Sequence, residues 1–134
     1  MLKPHLSRIV EAVTSRGVIY QHHNCGYWAS IAEDLIEIGV KATDPTHPCN
    51  NLTSIKERFG KELVFFGGFN SQLLDLPDLN AEDAKKHVEE TFQIMAPGGG
   101  WVPVSGAYYG PNVNVINDEI TRCANEYYGV RPSQ

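Results

Sequence analysis

The side chains best equipped for chemistry stand close together near the start of the chain. His22, His23, Asn24, Cys25 and Gly26 follow a short apolar run, Val18-Ile19-Tyr20. Imidazole and thiol are both metal-competent groups. Side chains two apart on a strand face the same way, so His23 and Cys25 should project together as catalytic or metal-binding residues. Alternation turns His22 the other way, toward a helical layer. His47-Pro48-Cys49 repeats the His-x-Cys spacing 24 residues on. Neighbouring strands lie about 4.8 Å apart, so His23, Cys25, His47 and Cys49 could converge as a four-ligand zinc set. The competing reading makes the second pair ordinary loop surface or core filler.

Other residues invite paired readings. Asp44 either orients a ligating histidine or caps a turn beside Pro45. Gln72 either contacts a ligand or caps a helix. Gly98-Gly99-Gly100 either offers backbone N–H groups to an anionic substrate or simply turns the chain between helix and strand. Tyr108 and Tyr109 either line a pocket or stand exposed in a loop. Cys123 falls on an apolar helical stripe and reads as core. His5 and His87 read as solvent-facing.

These groups need elements to hold them, and the hydrophobic pattern supplies an alternating series. Leu6, Ile9, Val10 and Val13 mark a helix closed by Gly17, and a strand over 18–22 follows. Trp28, Ile31, Ala32, Leu35 and Ile38 mark a second helix, with a strand over 40–43 behind it. A third helix spans about 51–59, and Leu63-Val64-Phe65-Phe66 is the clearest buried strand. Asn80 caps a long helix striped by Ala84, Val88, Phe92 and Met95. A last strand covers 101–104, and Asn117 reads as the N-cap of the final helix, which ends at Gly129. Strands separated by helices run parallel. Strand starts near 18, 40 and 62 give a tight βα repeat of 22 residues. A complete (βα)8 barrel needs roughly 200–250 residues. At 134 residues, a single domain carrying this pattern reads as half of such a barrel: four parallel strands with open edges that invite a partner.

Bulk properties narrow the partners. Sixteen acidic against eleven basic residues leave a net charge of −5, with no basic cluster, which argues against nucleic acid. No apolar run reaches the roughly 20 residues that span a bilayer. The opening residues lack the apolar core of a signal peptide. Three widely spaced cysteines in an acidic chain fit reduced thiols in the cytoplasm better than a disulfide framework.

Several motifs in order add a resemblance. His23-x-Cys25-Gly26, Asp44-Pro45, Lys56-x-x-Phe59-Gly60, Phe66-Gly67-Gly68-Phe69-Asn70-x-Gln72 and Ala96-Pro97-Gly98-Gly99-Gly100-Trp101 resemble the C-terminal half of the uroporphyrinogen decarboxylase superfamily. The likeness runs over nearly the whole chain and is closer to the corrinoid-linked methyltransferases of that group. It implies barrel strands five to eight and methyl transfer between a corrinoid partner protein and a small thiol. It also implies zinc on His23, Cys25 and a third ligand whose position falls at Gly99, which cannot ligate. The decarboxylase branch, which serves porphyrin metabolism, uses early-barrel residues that would precede Met1. Its late histidine falls at Ser105-Gly106-Ala107, so uroporphyrinogen decarboxylation is not expected of this chain alone. A split or truncated half-barrel without catalysis of its own, pairing with an N-terminal half or with itself, is the alternative.

Overall fold

The computed structural model describes residues 2–107 and 109–129. Helix α1 (Lys3–Thr14) begins with Pro4 in its first turn, where the missing N–H costs nothing. Strand β1 is Gln21–His23. A 3-10 turn, Ala29–Ile31, runs into α2 (Ala32–Glu37). Strand β2 (Ala42–Asp44), a second 3-10 turn (Pro48–Asn50) and α3 (Leu52–Phe59) follow. Then come β3 (Val64–Phe66), the short α4 (Ser71–Leu74) and α5 (Ala81–Met95). Strand β4 (Trp101–Val102) and α6 (Val113–Tyr128) close the series.

The four strands form one parallel sheet in chain order, β1-β2-β3-β4. That is the arrangement of half a (βα)8 barrel. No described helix is long and apolar enough to cross a membrane.

Register sorts the strand residues into two faces. His22, Thr43, Phe65 and Trp101 pair across the sheet and face the helices. Thr43, Phe65 and Trp101 are buried there, with Trp28 stacked on Phe65 and Phe92 edge-on to Trp101 at 4.8 Å. The α5 stripe, Ala84, Val88, Phe92 and Met95, is buried as its spacing requires, and the Asn80 side chain accepts the Asp83 N–H at 2.9 Å. On the opposite face Gln21, His23, Val64 and Val102 are exposed, Asp44 and Phe66 are half-buried and Ala42 is buried.

Several boundaries differ from the sequence reading, β2 among them, which covers Ala42–Asp44 instead of 40–43. Strand β1 starts at Gln21 instead of Val18, because Val18 and Ile19 lie beyond the paired stretch on an outer strand and stand exposed. Pro103 offers no N–H to a ladder, so β4 stops at Val102. Helix α6 begins a turn before Asn117. Val113 and Ile116 extend its apolar stripe upstream, and buried Asn112 holds the start by donating to the Leu79 carbonyl at 2.6 Å. Asn117 is therefore inside the helix, where its carbonyl accepts from the Thr121 hydroxyl.

Candidate functional site

Parallel pairing of β1 with β2 places His23 opposite Asp44, at the carboxyl ends of both strands. The Asp44 carboxylate lies 3.1 Å from His23 Nδ1, and the other ring nitrogen, Nε2, lies 3.1 Å from Cys25 Sγ. A carboxylate accepts only, so Nδ1 donates to Asp44, while Nε2 faces the Cys25 sulfur. The Asp44 carboxylate is thus placed against the His23 ring. His23 and Cys25 do project together, and both are exposed.

The backbone behind these groups is tied down twice. Past the end of β1, the Asn24 N–H donates to the Asp44 carbonyl at 2.6 Å, and its side chain donates to the Thr43 hydroxyl. Deeper down, buried Asn50 holds the two rim loops together. Its Oδ1 accepts from the Trp28 and Ala29 N–H groups at 2.7 and 3.0 Å. Its Nδ2 donates to the carbonyls of Gly26 and His47, each at 2.9 Å. Sequence reasoning missed Asn50. An asparagine one residue before a helix cap looks like more capping chemistry, and only the long-range contacts show otherwise.

His47 and Cys49 do not copy the first pair. Pro48 starts a 3-10 turn, and the His47 Nδ1 caps it by accepting the Cys49 N–H at 3.2 Å. Cys49 is exposed, and its sulfur lies 3.7 Å from the Asn50 amide. Among the described residues, no three His, Cys, Asp or Glu side chains gather as a metal site. His23 and Cys25 supply two donors. Their separation of 3.1 Å is slightly less than the roughly 3.5 Å expected between nitrogen and sulfur ligands on tetrahedral zinc.

His47 does reach the site in another way. With His23, Asp44, Phe66, Ser71 and Ser105 it lines a groove of about 300 Å³ on the rim. Ser71 is not singled out by the sequence, and Ser105 enters it only within the stretch where the resemblance puts a late histidine. Gln72, beside Ser71, is exposed on α4 and does not line the groove; the cap of that helix is Asn70, which accepts the Leu73 N–H. Tyr108 lies outside the described residues.

Gly99 is a correction. It precedes β4, so in a parallel sheet it sits at the amino end, opposite the rim. Its carbonyl accepts from Lys56 Nζ, and a Cβ on neighbouring Gly100 would stand 3.0 Å from the Gly60 carbonyl. The glycine run is the tight turn of the two readings, and Gly99 can neither touch a substrate in the groove nor mark a third ligand there.

Two other histidines behave differently from each other. His22 packs on Tyr20 and faces the cleft between α1 and α2, where burial holds its pKa below the usual imidazole range. His87 is not solvent-facing: it is half-buried, and its Nε2 accepts the Asn70 N–H at 3.1 Å. Burial lowers its pKa as well. Cys123 is buried, as its place on the α6 stripe requires.

A carboxylate–imidazole–thiol chain can make its sulfur a nucleophile, and the same nitrogen and sulfur can serve as metal donors. Set against models of protein families, curated proteins and solved structures, the chain finds no match in any of the three.

Proposed function

We propose that this chain is the C-terminal half of a uroporphyrinogen decarboxylase-like barrel, nearer the corrinoid-linked methyltransferases. Its reacting groups are His23 and Cys25, and its chemistry is transfer of a methyl group to or from a small thiol. One observation carries the reading: the contact chain from Asp44 through His23 to Cys25 at the carboxyl ends of the strands. Zinc, when bound, would hold an acceptor sulfur as its thiolate. His23 Nε2 and Cys25 Sγ would provide two ligands, with Asp44 fixing the ring. A third ligand would come from a rearranged Cys49. The groove of about 300 Å³ suits a small acceptor, with Ser71 and His47 for polar contact and Phe66 as an apolar wall. A corrinoid is far larger than that groove, so it arrives on a partner protein. Three free cysteines suit the reducing cytoplasm.

Zinc titration of the purified chain against a chromophoric chelator tests this. One zinc per chain is expected, lost in His23→Ala and in Cys25→Ala. Uptake unchanged by both substitutions removes the reading. Methyl transfer from free methylcobalamin to a small thiol, followed by the cobalamin spectrum, supplies the activity readout.

A second reading has its own support: a module without catalysis of its own, which must pair. Val64 and Val102 are partly exposed on one sheet face, and among the described residues β1 and β4 each pair on one side only. Decarboxylation of uroporphyrinogen is the least supported activity, since Ser105, Gly106 and Ala107 bring no imidazole to the rim.

A further inference from the structure

Cys25 and Cys49 are exposed thiols on neighbouring rim loops, whereas Cys123 is buried on α6. The side-chain nitrogen of Asn50 joins those loops. It lies 2.9 Å from the carbonyl of Gly26, one residue past Cys25, and 3.7 Å from the Cys49 sulfur. The first loop has room to shift: Gly26 holds a φ of 85°, and a Cβ added there would meet nothing within 4 Å. The two sulfurs differ in their surroundings. Cys25 has His23 Nε2 at 3.1 Å, with the Asp44 carboxylate on the other ring nitrogen. Beside Cys49 the His47 ring is turned to the backbone, where it accepts the Cys49 N–H at 3.2 Å. One thiol is therefore equipped to attack, and the other stands nearby to follow it.

We propose that Cys25 and Cys49 form a peroxide-reducing dithiol whose substrates are small hydroperoxides. The inference is separate from methyl transfer and needs neither zinc nor a corrinoid. In the first step the Cys25 sulfur attacks the terminal peroxide oxygen. An S–O bond forms and the O–O bond breaks, so the sulfur is oxidised to a sulfenic acid while the hydroperoxide is reduced to an alcohol. The thiol proton passes by way of His23 Nε2 to the departing oxygen. In the second step the Cys49 sulfur attacks the sulfenic sulfur. The S–S bond forms, the S–O bond breaks, and the hydroxyl leaves with the Cys49 proton as water. A small dithiol then restores both thiols and becomes a disulfide itself. The ring beside Cys25 favours a hydroperoxide over a disulfide as the oxidant. An alkoxide leaves poorly until a proton reaches it, whereas a thiolate leaves without one. The Cys25 sulfur also stands at the exposed rim, so a small oxidant reaches it without a shaped pocket. In a reducing compartment the product bond is transient.

The test treats the purified, chelator-washed chain with an equimolar amount of hydrogen peroxide, blocks the remaining thiols and maps the cysteines by mass spectrometry. The chelator removes any metal, so the outcome does not depend on zinc uptake. A disulfide between Cys25 and Cys49 of one chain is expected, reversed by dithiothreitol, with Cys123 still a thiol. Cys49→Ser should leave Cys25 as a sulfenic acid that dimedone captures. Cys25→Ser should leave Cys49 unoxidised over the same time. His23→Ala should slow the reaction at least about tenfold while leaving the circular dichroism unchanged. Equal oxidation of Cys25 and Cys49 in the two serine variants overturns the proposal. So does a bond formed only between separate chains, or a rate that His23→Ala leaves unchanged. Glutathione disulfide serves as the competing oxidant; the same bond formed faster from it than from the peroxide overturns the choice of hydroperoxide.

Discussion

Asn50→Ala should damage this protein more than any other single loss of a polar side chain at the rim. The side chain is 2% exposed and makes four bonds to backbone groups of two separate loops. Water can reach Gly26, which is exposed, and can partly serve Ala29 and His47. It cannot easily serve the Trp28 N–H, in a residue 1% exposed. The orphaned Trp28 donor at roughly 1–3 kcal/mol, with a fraction of that for each of the two partly served groups, puts the cost at about 2–4 kcal/mol. Against a total stability of about 5–15 kcal/mol, that is a large fraction. Urea unfolding followed by tryptophan fluorescence measures it, with Asn51→Ala as a neighbouring control. Asn51 caps α3 by accepting the Ser54 N–H at an exposed position, so its loss should cost only about 1 kcal/mol. Because Asn50 also fixes the turn leading out of Cys25, the variant should lose zinc uptake even where it remains folded. A cost for Asn50→Ala below that of Asn51→Ala would refute the reasoning.

Three further outcomes follow from the same structure. His87 is held below the usual imidazole range by burial and must stay neutral to accept from Asn70. The unfolded chain binds that proton more readily, so the stabilisation is full above the unfolded pKa of about 6.5 and falls as pH drops through and below it. Urea midpoints at pH 8 and pH 5 should differ, less so in His87→Gln; an undiminished difference in that variant would assign the effect elsewhere, His22 being the next candidate. The Cys123 thiol is pushed up to about 11, chiefly by burial, so a thiol reagent at neutral pH should label Cys25 and Cys49 and spare Cys123 until urea is added. Asp44→Asn should weaken zinc binding by about 10- to 100-fold through loss of ring orientation, with little change in stability; equal affinity would show that His23 needs no such support.

The alternation of helices and strands was legible because each element buries a recognisable pattern. Phe65 and Trp101 stand in apolar runs, and Ala84, Val88, Phe92 and Met95 repeat at helical spacing. Edges were harder to read. Val18-Ile19-Tyr20 looks like the heart of a strand, yet only a neighbour on the far side of β1 would make it one. Short elements also escaped: α4 has four residues, too few for any periodicity.

Within the site, strand alternation was enough to bring His23 and Cys25 together, because that is a local rule. The Asp44 contact and the Asn50 brace depend on how β1 pairs with β2, and no local pattern fixes that register. The second His-x-Cys pair does not repeat the geometry of the first for a local reason, since Pro48 starts a 3-10 turn and the His47 ring caps it. Gly99 shows the reverse case. The chain enters each strand of a parallel sheet at the same end, so a residue just ahead of β4 must lie far from residues just behind β1. The residues leaving β4 are Pro103 to Gly106, and Ser105 and Gly106 do line the groove. The order of elements, read correctly from the sequence, already required that any contribution of the last strand to this rim follow Val102.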